Sequence, residues 1–399
     1  MSENGKTGLR PVPVDWDEIE KKIREHRRQR TRRILLIAGV IAALCVLLLL
    51  YRRFRTFTDY NVIETIDRTD SEATHFVSFG KYVIKYSNDG ASMTDADNHT
   101  IWAQSFEMQD PIASVKSQYA AFAERGGKNI YIMDEKGYQA KITTDMSINK
   151  IDVSNQGNVA VLMQESNVSY LGLYSIRGTK LAEGAIHFES GGYPLDLALS
   201  PDGEQLAVSI FNISKGTGGT IVNFYNFGSG GSKSTDNLVA GYTYSGTVIP
   251  ELYYTEDDTL AAFGDNQVIL FNGKGSPSVR KKIKIRKKIK SVFCSDSCFG
   301  LLYTQNSDSE GSSAEIYNYK GVRKKEFSLD RNYTKAGFMG SGEIYLTDDT
   351  RCAIYERNGH QKFRGKTDTE LYMIMSSGRF RKYIFIRDGK TEIVRLKTF

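Results

Sequence analysis

Two hydropathy patterns divide this chain. Residues 34–50, ILLIAGVIAALCVLLLL, form one apolar run with no charge and no proline. Beyond residue 56 the apolar positions recur in short stretches rich in Val, Ile, Tyr and Phe, punctuated by Gly, Asn, Asp and Ser. Alternation with a period of two between turn-forming residues predicts β-strands. No amphipathic helical stretch of consequence breaks the series.

The apolar run reads as a membrane span. As a helix it reaches ~25 Å, slightly under the ~30 Å hydrocarbon core of a bilayer. Arg33 and Arg52 can snorkel to the interfaces and Tyr51 can sit at one, which completes a span over 34–51. Dense arginine on both flanks argues against a buried core helix. Lys21, Lys22, Arg24, Arg27, Arg28, Arg30, Arg32 and Arg33 precede the run, whereas Arg52, Arg53 and Arg55 follow it closely. That bias places the N-terminus in the cytoplasm. The long leader, the length of the run and the sequence YRRFR in place of a small-residue cleavage site favour an uncleaved signal anchor. The expected layout is a basic cytoplasmic tail over 1–33, the anchor over 34–51 and an extracytoplasmic domain over 56–399, held at the cell membrane. Within the tail, Asp15 as cap with Asp17, Glu18 and Glu20 in the first turn predicts a short helix. Its basic end suits anionic lipid head groups or a cytoplasmic partner.

The large domain repeats itself. Each unit runs strand, tight turn, strand, link, strand, glycine turn, strand. Turn glycines Gly90, Gly137, Gly178, Gly275, Gly321 and Gly359 recur about every 45 residues, with one interval skipped at a looser FGSGG turn. That is the size of a four-stranded propeller blade. The clearest turn is LALSPDGEQLAV over 197–208, where Pro201 pre-sets the bend and Gly203 supplies positive φ. Eight units can be counted, and the last has only three strands. Residues 58–66, just after the anchor, can supply the fourth and close the ring, which removes exposed sheet edges. The expected fold class is all-β, a β-propeller of eight blades, or seven if one unit is wrongly split. A pair of β-sandwiches or a β-solenoid is the structural alternative.

The SPDG hairpin resembles the first turn of blades in WD-like and PQQ-like propellers. The whole arrangement resembles an uncharacterised family of single-pass, membrane-anchored PQQ-like β-propeller proteins of Gram-positive bacteria. The resemblance covers essentially the full chain and rests on architecture and turn pattern. It implies a propeller facing the cell envelope and supplies no activity.

Charge narrows the choice of partner. The chain holds 53 Lys+Arg against 47 Asp+Glu, a net +6. Residues 1–55 contain 13 of those cations and 6 of the acids, which leaves 40 and 41 for the rest. The large domain is therefore near neutral. Nucleic acid is not expected as a partner, because such binding starts from a basic footprint.

Chemistry-bearing motifs are sparse. The five histidines His26, His75, His99, His187 and His360 are scattered, and no HExxH, GxSxG or Walker motif occurs. No catalytic, metal-binding or cofactor-binding residue is expected. Asp257–Asp258 and Asp348–Asp349 read as solvated turn formers. The sequons at Asn98, Asn167, Asn212 and Asn332 matter only in a eukaryotic secretory setting. Cys294 and Cys298 bracket Ser-Asp-Ser at a first hairpin turn, where they can come ~5.5 Å apart, within disulfide range. Extracytoplasmic placement permits oxidation; two free thiols or metal ligands are the alternatives, and with no clustered histidine nearby metal is disfavoured. Cys352 reads as an unpaired strand residue.

One charged run stands out, RKKIKIRKKIK. It places Arg280, Lys281, Lys282, Lys284, Arg286, Lys287, Lys288 and Lys290 around Ile283, Ile285 and Ile289. It reads as an outer strand guarded by lysines against edge pairing. The functional alternative is a contact for an anionic envelope polymer, lipid head groups or an acidic protein. Inserts over 212–219 and 305–313 link second to third strands and share a face with the link inside this run. That face, around the fourth to sixth units, is the candidate partner surface.

The expected function is non-enzymatic binding or scaffolding, with the propeller displayed to an envelope protein or anionic polymer. A transmembrane sensor acting through residues 15–33 is the alternative. A quinoprotein-like oxidoreductase is the enzyme such a fold raises. Those enzymes typically carry tryptophan-docking repeats and a Cys-rich cofactor lid, whereas here Trp16 lies in the tail and Trp102 stands alone. No cofactor is expected.

Overall fold

The computed structural model describes residues 16–69, 74–214, 216–228, 231, 235–304 and 312–398. It divides into two compact units, Met1–Arg55 and Thr56–Phe399.

The first unit is a single helix, Trp16–Phe54, of 39 residues. Its segment Glu20–Leu48 is long and apolar enough to cross a membrane. The helix runs without interruption from the basic tail into the apolar run, where the sequence suggested a short helix of its own. No proline intervenes, and Arg24 pairs with Glu20 one turn back at 3.0 Å, so nothing breaks it. The cap expected at Asp15 lies outside the described residues.

The second unit consists of eight four-stranded antiparallel sheets. Blades 1 to 7 cover 75–105, 111–143, 147–187, 193–245, 251–284, 289–328 and 335–366, each pairing its strands in chain order. Blade 8 has three strands over 371–397 and takes Asp59–Asp67 as its fourth. That strand runs antiparallel to Lys390–Lys397, with Asp59 opposite Lys397 and Asp67 opposite Lys390. The architecture is an eight-bladed all-β propeller. First strands of neighbouring blades lie against one another, and fourth strands are exposed along the rim.

The core lies between the blades. Among the described residues, eight buried apolar clusters occur, one at each interface. This explains the second strands, which carry runs of consecutive apolar residues in place of strict alternation. In Val159–Glu165, Val159, Val161 and Met163 face blade 2, while Ala160 and Leu162 face blade 4. A sheet covered on both sides has no polar face to alternate with. Blades 8 and 1 meet over the smallest cluster: Val83, Met373, Met375, Ile384 and Ile386.

Five of the turn glycines, Gly137, Gly178, Gly275, Gly321 and Gly359, join third to fourth strands with positive φ. Gly90 differs. It stands between the second and third strands of blade 1, whose outer turn is instead made by Asp95–His99, with Asn98 at φ 60. The outer turns also explain how neighbouring blades meet. A Cβ at Gly321 would come within 2.5 Å of the Lys281 side chain, and one at Gly359 within 2.7 Å of Lys325. The outer strands of blades 5 and 6 thus lie against the outer turns of blades 6 and 7.

Candidate partner surface

The basic run straddles two blades. Arg280, Lys281, Lys282 and Lys284 lie on the outer strand of blade 5, Ser278–Lys284, and Lys290 lies on the first strand of blade 6, Ile289–Cys294. Arg286, Lys287 and Lys288 fall in the link between them. Ile283 and Ile285 are buried against blade 6, while all eight cations are exposed.

Lys287 is tied into the structure. Its ammonium lies 2.8 Å from Glu326 and 3.6 Å from Glu315. Glu315 is buried and also accepts hydrogen bonds from the Tyr303 and Tyr317 hydroxyls at 2.9 and 2.7 Å. Burial and the adjoining carboxylate push both phenols up, which keeps them protonated donors. The other seven cations make no ion pair among the described residues. Lys282 instead lies over the Tyr244 ring, 5.1 Å from its centre.

The rim continues this charge beyond the predicted run. The outer strand of blade 6, Arg323–Ser328, carries Arg323, Lys324, Lys325 and Glu326. That of blade 7, Gln361–Lys366, carries Lys362, Arg364 and Lys366. Ion pairs engage Arg323 with Glu315 and Glu326, Lys362 with Glu343, and Arg364 with Asp330. Lys324, Lys325 and Lys366 have none among the described residues. The outer strands of blades 1 and 4 are uncharged, and the one completing blade 8 is acidic, with Asp59, Glu64 and Asp67. In sequence the three cationic stretches lie about 40 residues apart, so only the repeat register could have grouped them.

A second polar system lines the central opening. The Asp152 carboxylate of blade 3 accepts the Ser114 hydroxyl of blade 2 at 2.7 Å and the Leu199 N–H of blade 4 at 2.8 Å. Asp196 of blade 4 accepts the N–H groups of Leu197 and of Leu252, the latter in blade 5, both at 2.7 Å. Lys150 of blade 3 closes on it at 2.5 Å. Burial pushes the Asp196 carboxyl up against the pull of Lys150 and these donors. Beside them Glu251 is pushed up to about 7, by enclosure first and by the Asp196 charge second. Nearer the first turns, the Lys116 ammonium of blade 2 lies 5.0 Å from the centre of the Tyr253 ring of blade 5. These contacts pinch the opening.

The remaining sites named from sequence resolve as follows. Cys294 and Cys298 are free thiols. Cys294 pairs in register with Phe299 and packs with it between blades 5 and 6, whereas Cys298 packs between blades 6 and 7. Neighbouring strand positions point to opposite faces, so the two sulfurs diverge. Asp258 and Asp349 adopt positive φ at turns. Asp258 and Asp202 both hold Lys274 at 3.0 Å, linking blades 4 and 5. The 212–219 insert extends the second and third strands of blade 4 into a longer hairpin that carries Ile213, 70% exposed. Residues 305–311 lie outside the described residues. A cavity of about 800 Å³, lined by Tyr82, Tyr345, Met373 and Met375, opens over the thin blade 8–blade 1 seam. Among the described residues no cluster of metal-ligating side chains occurs.

Comparison with known proteins adds the fold and a family. Residues 53–396 match the model of a family described as "Family of unknown function (DUF5711)". No curated protein matches the chain. Among solved structures, the C-terminal WD40 domain of Sif2 is 10% identical, with a TM-score of 0.59 over 86% of this chain and 100% of that one. The WD40 domain of Neurospora crassa Pan2 is 7% identical, with a TM-score of 0.47 over 86% and 98%. The Sif2 likeness shows a WD40-like propeller fold.

Proposed function

We propose that this chain, which belongs to the DUF5711 family of unknown function, is a non-enzymatic binding or scaffold protein. Its helix anchors it in the cytoplasmic membrane, N-terminus inside, and the propeller displays one face to an envelope partner, a protein or an anionic polymer. The observation that carries this reading is the exposed cationic surface of blades 5 and 6 on a ring tied together by interblade packing. Rigid display needs a stable disc with variable loops, and function then resides in those loops. The resemblance to PQQ-like propellers and the Gram-positive envelope setting it implies belong to the same proposal.

The test is carbon-directed photo-crosslinking of the tagged full-length protein in cells. It is run beside a variant with Lys281, Lys282, Lys284 and Lys288 changed to Gln; Lys287 is left in place because it holds Glu315 and Glu326. A defined envelope partner lost in the variant supports the reading. An identical set of crosslinks in both returns the stripe to a solvated outer strand.

One observation favours a second reading, that of a sensor. The helix Trp16–Phe54 is continuous from the cytoplasmic tail through the apolar run, so it can pass rotation or displacement along its length. Exchanging residues 15–51 for an unrelated anchor separates the two: scaffolding survives the exchange and signalling does not.

A further inference from the structure

We infer that the cationic rim of blades 5 to 7 lies on the anionic lipid head groups of the membrane that holds the protein's own helix. The inference rests on the anchored reading above and gives the cationic band a lipid occupant in place of the envelope protein or polymer. Three observations converge. The outer strands of blades 5, 6 and 7 carry ten Lys and Arg residues against one Glu. Contacts of Lys281 with the turn at Gly321, and of Lys325 with the turn at Gly359, make the three strands one continuous band.

The second observation is where the tether lands. One residue, Arg55, separates the last helical residue from Thr56. The Thr56 hydroxyl donates to the Gln361 carbonyl at 2.9 Å, and the Phe57 N–H donates to that of Lys362 at 2.8 Å. Arg364 donates its N–H back to the Phe57 carbonyl at 3.1 Å, and the Phe57 ring is buried between blades 7 and 8. The helix ends at Phe54, three residues past the expected span, and so holds the outer strand of blade 7 near the membrane surface. Three helical residues at ~1.5 Å and two extended ones at ~3.5 Å separate the two by at most about 12 Å, comparable to the Debye length of ~8–10 Å at physiological ionic strength. This follows from chain connectivity and requires no particular angle between helix and propeller.

The third observation is the sign change at that point. On one side of the tether the rim is cationic through blades 7, 6 and 5. On the other, the strand Asp59–Asp67 presents Glu64 and Asp67 and no cation. An anionic surface attracts one side and repels the other, so the propeller tips toward blades 5 to 7. A soluble polyanion could bind the same band, but it would gain nothing from the tether at its edge.

The test is amine footprinting of the full-length protein in phosphatidylglycerol and in phosphatidylcholine nanodiscs. The readout is the acetylation rate of Lys282, Lys284, Lys324, Lys325 and Lys366, with Lys81 and Lys136 as internal references. Three-fold or greater protection of the rim in phosphatidylglycerol, reversed by 1 M salt and absent at the references, is expected on electrostatic grounds. Equal labelling in the two lipids overturns the inference, as does protection in phosphatidylcholine only when soluble polyphosphate is added. A urea wash of the loaded discs distinguishes the failures. Protein that stays with the discs but labels equally sinks the rim contact alone. Protein that washes off sinks the anchor and the rim contact together.

Discussion

Asp196 of blade 4 accepts the backbone N–H of Leu252 of blade 5 at 2.7 Å, so a single carboxylate couples two neighbouring first strands. Asp152 does the same to Leu199 one blade earlier, and the Ser114 hydroxyl accepts the Val153 N–H at 3.0 Å one blade before that. The three bonds form a staircase around the opening of blades 2 to 5. Apolar packing holds blades face to face; these bonds fix their height.

Removing the Asp196 carboxylate strands two N–H groups and the Lys150 ammonium. Each unsatisfied buried donor costs ~1–3 kcal/mol, and Lys150, 43% exposed, can turn toward water. Asp196→Ala is expected to lose about 3 kcal/mol in urea unfolding, and Asp196→Asn about half of that. A loss below ~0.5 kcal/mol for Asp196→Ala would show that the staircase adds nothing to apolar packing.

Glu251 sets a pH dependence with a defined sign. Its folded-state pKa is about 7, against 4.5 ordinarily. The folded protein therefore keeps a proton that the unfolded chain releases, and stability falls as pH rises from about 4.5 through 7. Although neighbouring groups desolvate it, Glu251 keeps access to water, so the effect is discounted to ~1 kcal/mol. Glu251→Gln is expected to match the wild type near pH 4.5 and to exceed its melting temperature at pH 8. Asp196 and Lys150, which face Glu251, are retained in both proteins. Parallel melting curves across this range would remove Glu251 as the titrating group.

Closure of the ring depends on residues next to the helix. Phe57 is 2% exposed in the blade 7–blade 8 cluster. Phe57→Ala is expected to cost about 3 kcal/mol by cavity formation. Hydrogen exchange should then accelerate first in Asp59–Asp67 and Lys390–Lys397, the pair that completes blade 8. Uniform acceleration across all eight blades would instead make closure inseparable from global unfolding.

The propeller thiols are expected to be inert in the native state: Cys298 is sheltered by its packing between blades 6 and 7, and Cys294 and Cys352 are held protonated. Burial pushes Cys352 up to about 12 and raises Cys294 further, and thiolate is the reactive form. Iodoacetamide should label Cys294, Cys298 and Cys352 only after denaturation. Mass spectrometry of protein held under an oxidising glutathione couple should find no Cys294–Cys298 linkage. Recovery of that linkage from folded protein would contradict the divergent packing of the two sulfurs.

Much of the architecture was legible because a blade is a local object. Four strands and three turns lie within about 45 residues, and hydropathy alternation with turn glycines marks them directly. The count of eight blades came from that repetition. Gly90 shows the limit: a glycine with positive φ suits either kind of turn, so its place in the blade is not written in its identity. Ile283 and Ile285 announced a half-buried strand, yet Lys287 looked like its neighbours until Glu315 and Glu326 were found beside it. Cys294 and Cys298 looked close because their loop is short, but strand pleating sends them to different interfaces.

The sequence by itself determined the apolar helix, the repeating blade and the cationic stretch of blade 5, since each depends on residues near one another along the chain. Only the tertiary structure decided which charges stand together. The staircase through Ser114, Asp152 and Asp196, and the band that joins Lys281, Lys325 and Lys366, unite positions some 40 or more residues apart. Their proximity is created by stacking one sheet on the next, and side-chain electrostatics acts across that spacing whatever the order of the chain.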